Sequence, residues 1–337
     1  MKKLLISILA AAALLVLMNW IYTRWFYKQD LLEHSDIVTS SWKVAEDRCE
    51  LVYLGESSNR TYGETDQDQR KISEMLAEQL PGIRCGDITQ NAAHAEVYYY
   101  LLKNIPEDSE VKTVVVTMNL RSFGSNWIYS SLETALQKKL VLMKDYPPLM
   151  KRAFLAFKAY PIHDEDEWAK KARESREKAL LAFPYPFPYK TTAEWDRAIA
   201  YEGVKDSLGN RDPQRTELTT HFIKNYGFQI HDDNPRVRDF DRIVKLANER
   251  GWTLVFNIMA ENTDLAMELV GSDLIYLMKE NVDYLMNRYS TMGVLMVNNL
   301  ELVRDPEFID RDWPTEHYYE NGRKAIADHV AQVIQKK

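Results

Sequence analysis

The stretch ELVYLGESSNRTYGE, residues 50–64, decides how the rest of the chain is interpreted. Its apolar run, residues 51–54, ends at Gly55 and is followed at once by a glutamate and two adjacent serines. A short apolar run that stops at such residues predicts a buried strand. The hydroxyls after it belong either to an ordinary strand-to-loop turn or to a nucleophile held at the carboxyl end of a sheet.

The order of predicted elements on either side of this stretch is typical of an α/β protein. The run VKTVVVTM, residues 111–118, is almost continuously apolar and β-branched, as expected of a strand that is covered on both faces. The predicted strands are residues 51–54, 83–88, 111–118, 252–259 and 293–300. The predicted helices are residues 66–80, 92–105, 235–250, 265–289 and 321–334. This alternation predicts a doubly wound, five-stranded parallel sheet with a flavodoxin-like arrangement.

Between the third and fourth predicted strands, about 100 residues do not follow the strand–helix alternation. Residues 127–230 contain long helical patterns that are separated by proline- and aromatic-rich breaks. We interpret this region as a helical insertion within a single α/β domain over residues 49–337.

The N-terminal residues form a separate unit. Lys2 and Lys3 precede an apolar stretch of about 19 residues, which as a helix would be about 28 Å long and would match the hydrocarbon core of a bilayer. Bulky residues follow this stretch, which disfavours a cleaved signal peptide. Residues 1–27 are therefore predicted to be a membrane anchor, and residues 28–48 a polar juxtamembrane stalk. The two lysines favour a cytoplasmic start, so the remaining domain is expected outside the cytoplasm.

Composition excludes one broad class of function. The chain of 337 residues has a formal net charge of −7 and no long block of basic residues, so we expect no nucleic-acid partner. The only cysteines are Cys49 and Cys85, which are too few to form a zinc site alone. An exported domain permits a disulfide between them, and the sequence leaves that pairing open. We predict neither a metal nor a cofactor.

Polar residues follow the predicted strands, where ligands bind in open α/β sheets. Ser57 follows the first strand, Asn119 follows the third, and His317 follows the fifth. Together with nearby aspartates, they provide the residue types that acyl transfer needs: a hydroxyl nucleophile, an imidazole base, a carboxylate and an amide donor. Ser58 is the alternative nucleophile.

Three segments resemble the sequence blocks of the SGNH/GDSL hydrolase superfamily. VYLGESS resembles the block that carries the nucleophile, with Glu56 in place of the usual aspartate. VVVTMNLRSF resembles the block that supplies the oxyanion-hole asparagine, and DRDWPTEHYYENGRKAIADHV resembles the terminal block that supplies the histidine. The resemblance covers about 120 residues at the front of the domain and about 90 at the back.

This resemblance implies a role for each matching residue. Ser57 is the expected nucleophile, His317 the base and Asn119 an oxyanion donor. The usual Asp-x-x-His spacing would place Pro314 at the acid position, so Asp312 is the first choice for the carboxylate, and Asp310 and Glu316 remain open.

Two further roles are expected around this site. The loop after the second strand lacks the family's glycine, so a backbone N–H of Asn91 or Ala92 is expected to complete the oxyanion hole. Arg60 and Arg121 are candidates for binding an anionic part of the substrate.

The anchor and the domain together resemble envelope acyl-transfer proteins, such as the D-alanine transfer protein of teichoic acids and the alginate O-acetyltransferases. The resemblance implies a single-pass membrane protein, and a glycan or an acylated envelope polymer is its expected substrate. A membrane acyl-transfer protein is a further candidate partner. The alternative is an inactive scaffold or glycan-binding protein of the same fold.

Overall fold

The computed structural model describes residues 1–162 and 164–336, and it contains the predicted five-stranded parallel sheet. The strand order is β2-β1-β3-β6-β7, and all neighbouring strands in this sheet are parallel. A separate antiparallel ribbon pairs β4 with β5. The strands are β1 (Leu51–Gly55), β2 (Cys85–Thr89), β3 (Thr113–Met118), β4 (Val204–Lys205), β5 (Arg211–Asp212), β6 (Thr253–Ile258) and β7 (Leu295–Asn298).

The described residues contain sixteen α-helices. The first eight are α1 (Lys2–Trp25), α2 (Tyr27–His34), α3 (Asp36–Glu46), α4 (Ser57–Arg60), α5 (Ile72–Gln79), α6 (Ala95–Lys103), α7 (Ser125–Ile128) and α8 (Glu133–Met143). The others are α9 (Pro148–Ala156), α10 (Glu165–Lys178), α11 (Thr192–Glu202), α12 (Pro213–Tyr226), α13 (Pro235–Arg250), α14 (Thr263–Leu269), α15 (Ser272–Thr291) and α16 (Glu320–Gln335). Short 3₁₀ helices occupy Leu120–Phe123 and Asp305–Glu307.

The sheet separates two hydrophobic cores, which explains why its central strands are apolar throughout. Successive strand side chains point to opposite faces, so Val114 and Val116 enter one core and Val115 enters the other. The first core contains side chains of α3, α6, α13 and α15, and the second contains side chains of α5 and α16. Both faces are therefore covered, as the continuous apolar run of the third strand predicts.

The insertion consists mainly of helices, as the sequence predicts. The predicted helix over residues 265–289 is divided at Gly271, whose φ of 100° lies in a region that favours glycine. Cys49 and Cys85 are both free thiols in this structure.

The prediction of a polar stalk over residues 28–48 is wrong. This segment forms α2 and α3, and Leu31, Ile37, Val38 and Val44 from it are buried in the first core. The chain after α1 therefore packs against the α/β domain instead of separating it from the anchor.

Candidate active site

The turn after β1 explains the glycine in the sequence that opens the domain. A Cβ atom on Gly55 would lie 2.7 Å from the Cβ of Asn59, so a larger residue does not fit between the strand and α4. The amide of Asn59 donates to Thr89 Oγ1 at 2.7 Å and its oxygen accepts from the Ser73 backbone N–H at 2.9 Å. These contacts fix the short helix that begins with Ser57.

Ser57 and His317 lie together at the carboxyl edge of the sheet. Ser57 Oγ is 2.9 Å from His317 Nε2, and His317 Nδ1 is 2.6 Å from an oxygen of Asp310. If Nδ1–H donates to Asp310, then Nε2 is left as the acceptor for the serine hydroxyl. The arrangement can therefore move a proton from a serine nucleophile to a histidine that a carboxylate orients.

The histidine and its carboxylate partner belong to one loop between β7 and α16. An antiparallel bridge between Phe308 and Tyr318 closes the part of this loop that carries both residues, and the Ile309 N–H donates to the His317 carbonyl at 3.0 Å. Thr315 also donates its hydroxyl to the Asp310 carboxylate at 2.8 Å. The loop thus holds base and carboxylate in a fixed relation to each other.

The structure corrects the first choice of carboxylate. Asp312 is exposed, whereas Asp310 contacts the imidazole. The bridge folds the loop back on itself, so the residue seven positions before His317 lies beside the ring. Glu316, the other alternative, is fully buried and pairs with Arg121 instead.

Asn119 lies beside the nucleophile turn, but its amide has another partner. Its Nδ2 donates to the carboxylate of Glu56, the residue immediately before Ser57. Asn119 also lines a small cavity of about 10 Å³, which is large enough for about one water molecule. In this structure, therefore, the predicted oxyanion donor is bonded to a protein carboxylate.

Glu56 is in an unusual environment for a carboxylate. Only 4% of its surface is exposed, and burial, followed by repulsion from Glu316, raises its pKa to about 7. Arg121 and the Asn119 amide oppose this shift. Sequence reasoning noted Glu56 only as a substitute for aspartate and did not identify its contact with Asn119.

The loop after β2 supplies the second set of candidate oxyanion donors. Asn91 and Ala92 line the same pocket as Ser57 and His317. The turn here is closed by the Ala93 N–H, which donates to the Gln90 carbonyl at 3.1 Å. This hydrogen bond uses neither the N–H of Asn91 nor that of Ala92. Ala92 has a φ of 56°, a conformation that favours glycine, at the loop where the resembled family has one.

Arg121 is buried in an ion pair below the site. Its Nε donates to Glu316 at 2.5 Å, its Nη2 donates to the same carboxylate, and its Nη1 donates to the Pro314 carbonyl at 2.9 Å. The guanidinium also lies 4.4 Å from the ring centre of Trp127. These contacts tie the nucleophile's side of the sheet to the histidine loop, and each guanidinium nitrogen has a protein partner. Arg121 also lines the pocket of Ser57 and His317, so its predicted role in substrate binding stays a prediction.

Arg60 does not line the pocket that contains Ser57 and His317. It is exposed and lines a different pocket, together with Lys71 and Asp87. Arg60 is close to Ser57 along the chain, but the structure does not place it in the pocket that contains Ser57.

A pocket of about 530 Å³ opens at Ser57 and His317. Its walls are largely apolar and come from both the α/β domain and the insertion. The apolar lining residues are Ala92, Trp127, Leu132, Ala135, Leu136 and Trp313. At the rim, Lys139 donates to the side chain of Gln90 at 2.6 Å. A volume of this size is typical of pockets that hold small organic ligands.

Comparison with known proteins provides a distant structural likeness. No family model and no curated protein matches the chain. Eleven solved chains match its fold, among them a lipase/acylhydrolase from Enterococcus faecalis. That likeness covers 85% of this chain and 96% of the other, with 9% identity and a TM-score of 0.35. These values do not assign the chain to a family.

Proposed function

We propose that this protein is a membrane-anchored serine esterase or O-acyltransferase. The observation that carries the proposal is the continuous contact from Ser57 Oγ through the imidazole of His317 to Asp310. The pocket that opens at this contact gives a substrate access to the hydroxyl.

In the proposed reaction, Ser57 Oγ attacks the carbonyl carbon of an ester while His317 Nε2 takes the hydroxyl proton. Backbone N–H groups of Asn91 and Ala92 stabilise the oxyanion, and one such donor contributes about 3 kcal/mol. His317 then gives the proton to the leaving alcohol, which leaves an acyl group on Ser57. Attack by water releases an acid, whereas attack by an acceptor hydroxyl completes transfer.

The apolar walls of the pocket favour an acyl ester as substrate. Trp127, Leu132 and Trp313 offer the contacts that a hydrocarbon chain needs. The candidate span α1 is long and apolar enough to cross a membrane and is fully exposed over most of its length, which supports anchoring. With the domain outside the cytoplasm, an acylated envelope glycan or polymer is the proposed substrate class, and a membrane acyl-transfer protein is a candidate donor.

Covalent labelling tests this proposal. The full-length chain in detergent is treated with a fluorescent fluorophosphonate, which reacts with activated serines. We expect labelling that is lost in Ser57→Ala and kept in Ser58→Ala, because Ser58 is fully buried. Absence of labelling in the folded wild-type chain overturns the proposal and favours the inactive scaffold or glycan-binding protein. Product analysis with and without an acceptor alcohol then separates hydrolysis from transfer.

A further inference from the structure

The helix α9 presents an exposed apolar face that is not used by the candidate active site. Met150 is 43% exposed and Phe157 is 83% exposed. Ala153 and Phe154 lie between them at spacings of three and four residues, so these three residues of α9 and Phe157, which directly follows the helix, share one side. The ring of Phe154 packs edge-on against Tyr146, which is itself 40% exposed and extends this surface.

Contacts with the N-terminal helices determine where this face lies. Asn19, just after the apolar stretch of α1, accepts a hydrogen bond from the Leu149 N–H at 3.0 Å. Lys151 donates to Tyr27 at 3.2 Å, and Arg152 lies 3.6 Å from Asp30. The first turn of α9 is therefore held at the level where α1 stops being apolar.

The exposed residues near the end of α1 and on α9 are of the types that are found at a membrane–water boundary. Trp20, Trp25 and Phe26 are exposed on the last part of α1 and just after it. Tryptophan and other aromatic side chains are enriched at this depth in membrane proteins. Arg152 and Lys158 are exposed on α9 and the residues that follow it, where they would lie close to lipid phosphates.

We infer that α9 is an interfacial helix, whose Met150, Ala153, Phe154 and Phe157 contact the lipid bilayer beside α1. This face is expected to contact lipid, because the adjacent α1 brings the bilayer to it. Its apolar residues suit the hydrocarbon, and the neighbouring basic residues suit the lipid headgroups. This inference rests on the anchoring proposed above. The same helix follows α8, which lines the pocket, so contact with lipid also holds the pocket wall close to the membrane.

Site-specific photocrosslinking tests the inference on the full-length chain. Benzoylphenylalanine replaces Phe157, Leu9 or Tyr201 in separate variants, and each is reconstituted in vesicles of equal parts phosphatidylcholine and phosphatidylglycerol that carry a fluorescent lipid. Leu9 lies within the candidate span, and Tyr201 on α11 is a control that is 87% exposed. We expect lipid adducts at positions 9 and 157, with at least a fivefold lower yield at position 201.

Each other outcome overturns the inference in a distinguishable way. An adduct at position 9 with a yield at 157 no higher than at 201 rejects the interfacial helix and leaves the anchor. Equal adducts at all three positions show unspecific lipid contact and also reject it. Absence of an adduct at position 9 rejects the anchor itself. Phe157 is largely exposed, so its replacement by a larger aromatic residue is not expected to disturb folding.

Discussion

Ser57 and His317 are separated by 260 positions in the sequence, and their side chains approach to 2.9 Å over one edge of the sheet. Ser57 follows β1, next to the central strand β3, and His317 lies in the loop after the edge strand β7. Parallel pairing directs the carboxyl ends of all five strands to the same side. The parallel sheet therefore brings together two side chains that are distant in the sequence.

Asp310 is expected to control the efficiency of the proposed reaction. Asp310→Asn removes the carboxylate that accepts from His317 Nδ1, so the ring loses its preferred tautomer and kcat falls about 10³–10⁴-fold, with little change in KM. Asp312→Asn is the matched control, because Asp312 is exposed, and its kcat stays within about twofold. Steady-state hydrolysis of a soluble ester measures both. A larger loss in the Asp312 variant than in the Asp310 variant contradicts the assignment.

The ion pair between Arg121 and Glu316 is expected to stabilise the fold. Arg121→Met leaves a fully buried carboxylate without its partner and lowers the free energy of unfolding by about 3–5 kcal/mol. The double variant with Glu316→Gln recovers most of this loss, since the buried charge is also removed. Chemical denaturation of the two variants measures the difference. If Arg121 serves only the substrate, the single variant unfolds at the same denaturant concentration as the wild type.

Glu56 is expected to make stability depend on pH. Its pKa is raised from 4.5 to about 7 in the folded chain, so the folded state binds this proton more tightly than the unfolded state. The protonated Glu56 thus adds at most about 3 kcal/mol to the free energy of unfolding. This stabilisation is complete below the pKa of Glu56 in the unfolded chain, and it is lost as the pH rises through the pKa in the folded chain.

Glu56→Gln removes this titration. Between about pH 5 and pH 8, the free energy of unfolding should therefore fall less in the variant than in the wild type. Glu64→Gln is the control, since Glu64 is exposed. Denaturation curves across this pH range measure all three chains, and parallel pH profiles for wild type and Glu56→Gln would disprove the role of Glu56.

Ala135 is expected to limit the length of the acyl chain. It lines the pocket from α8, so Ala135→Trp fills space that a long chain would occupy. We expect kcat/KM for a long-chain ester to fall about tenfold or more relative to that for the acetyl ester. Lys138→Trp on the same helix is the control, because Lys138 does not line the pocket. An equal effect of Ala135→Trp on both esters would show that the acyl chain binds elsewhere.

The order of elements was predictable from the sequence because the five strands have distinct local patterns. The run 111–118 is almost continuously apolar, and helical patterns separate the predicted strands. The carboxyl-edge rule then indicated Ser57 and His317 without any knowledge of distances. The resemblance to sequence blocks supported the same two residues.

Long-range contacts explain where prediction failed. Residues 66–71 were predicted to be helical, but they contact the buried guanidinium of Arg323 instead. Arg323 Nη1 donates to the Asp66 carboxylate at 2.7 Å, and Arg323 Nε donates to the Arg70 carbonyl at 3.1 Å. These contacts hold the segment outside α5, and no local pattern indicates them. Similarly, the choice of Asp310 over Asp312 depends on the bridge that closes the loop.

That closed loop has an evolutionary consequence. The proposed proton acceptor and its carboxylate are encoded by one short stretch of the gene, and the proposed nucleophile by another near the start of the domain. A substitution at Asp310 or His317, neither of which belongs to the two cores, would therefore remove the proposed chemistry and leave the sheet, both cores and the anchor intact. Descendants that have lost the proposed activity should accordingly differ from active ones mainly at Ser57, Asp310 or His317.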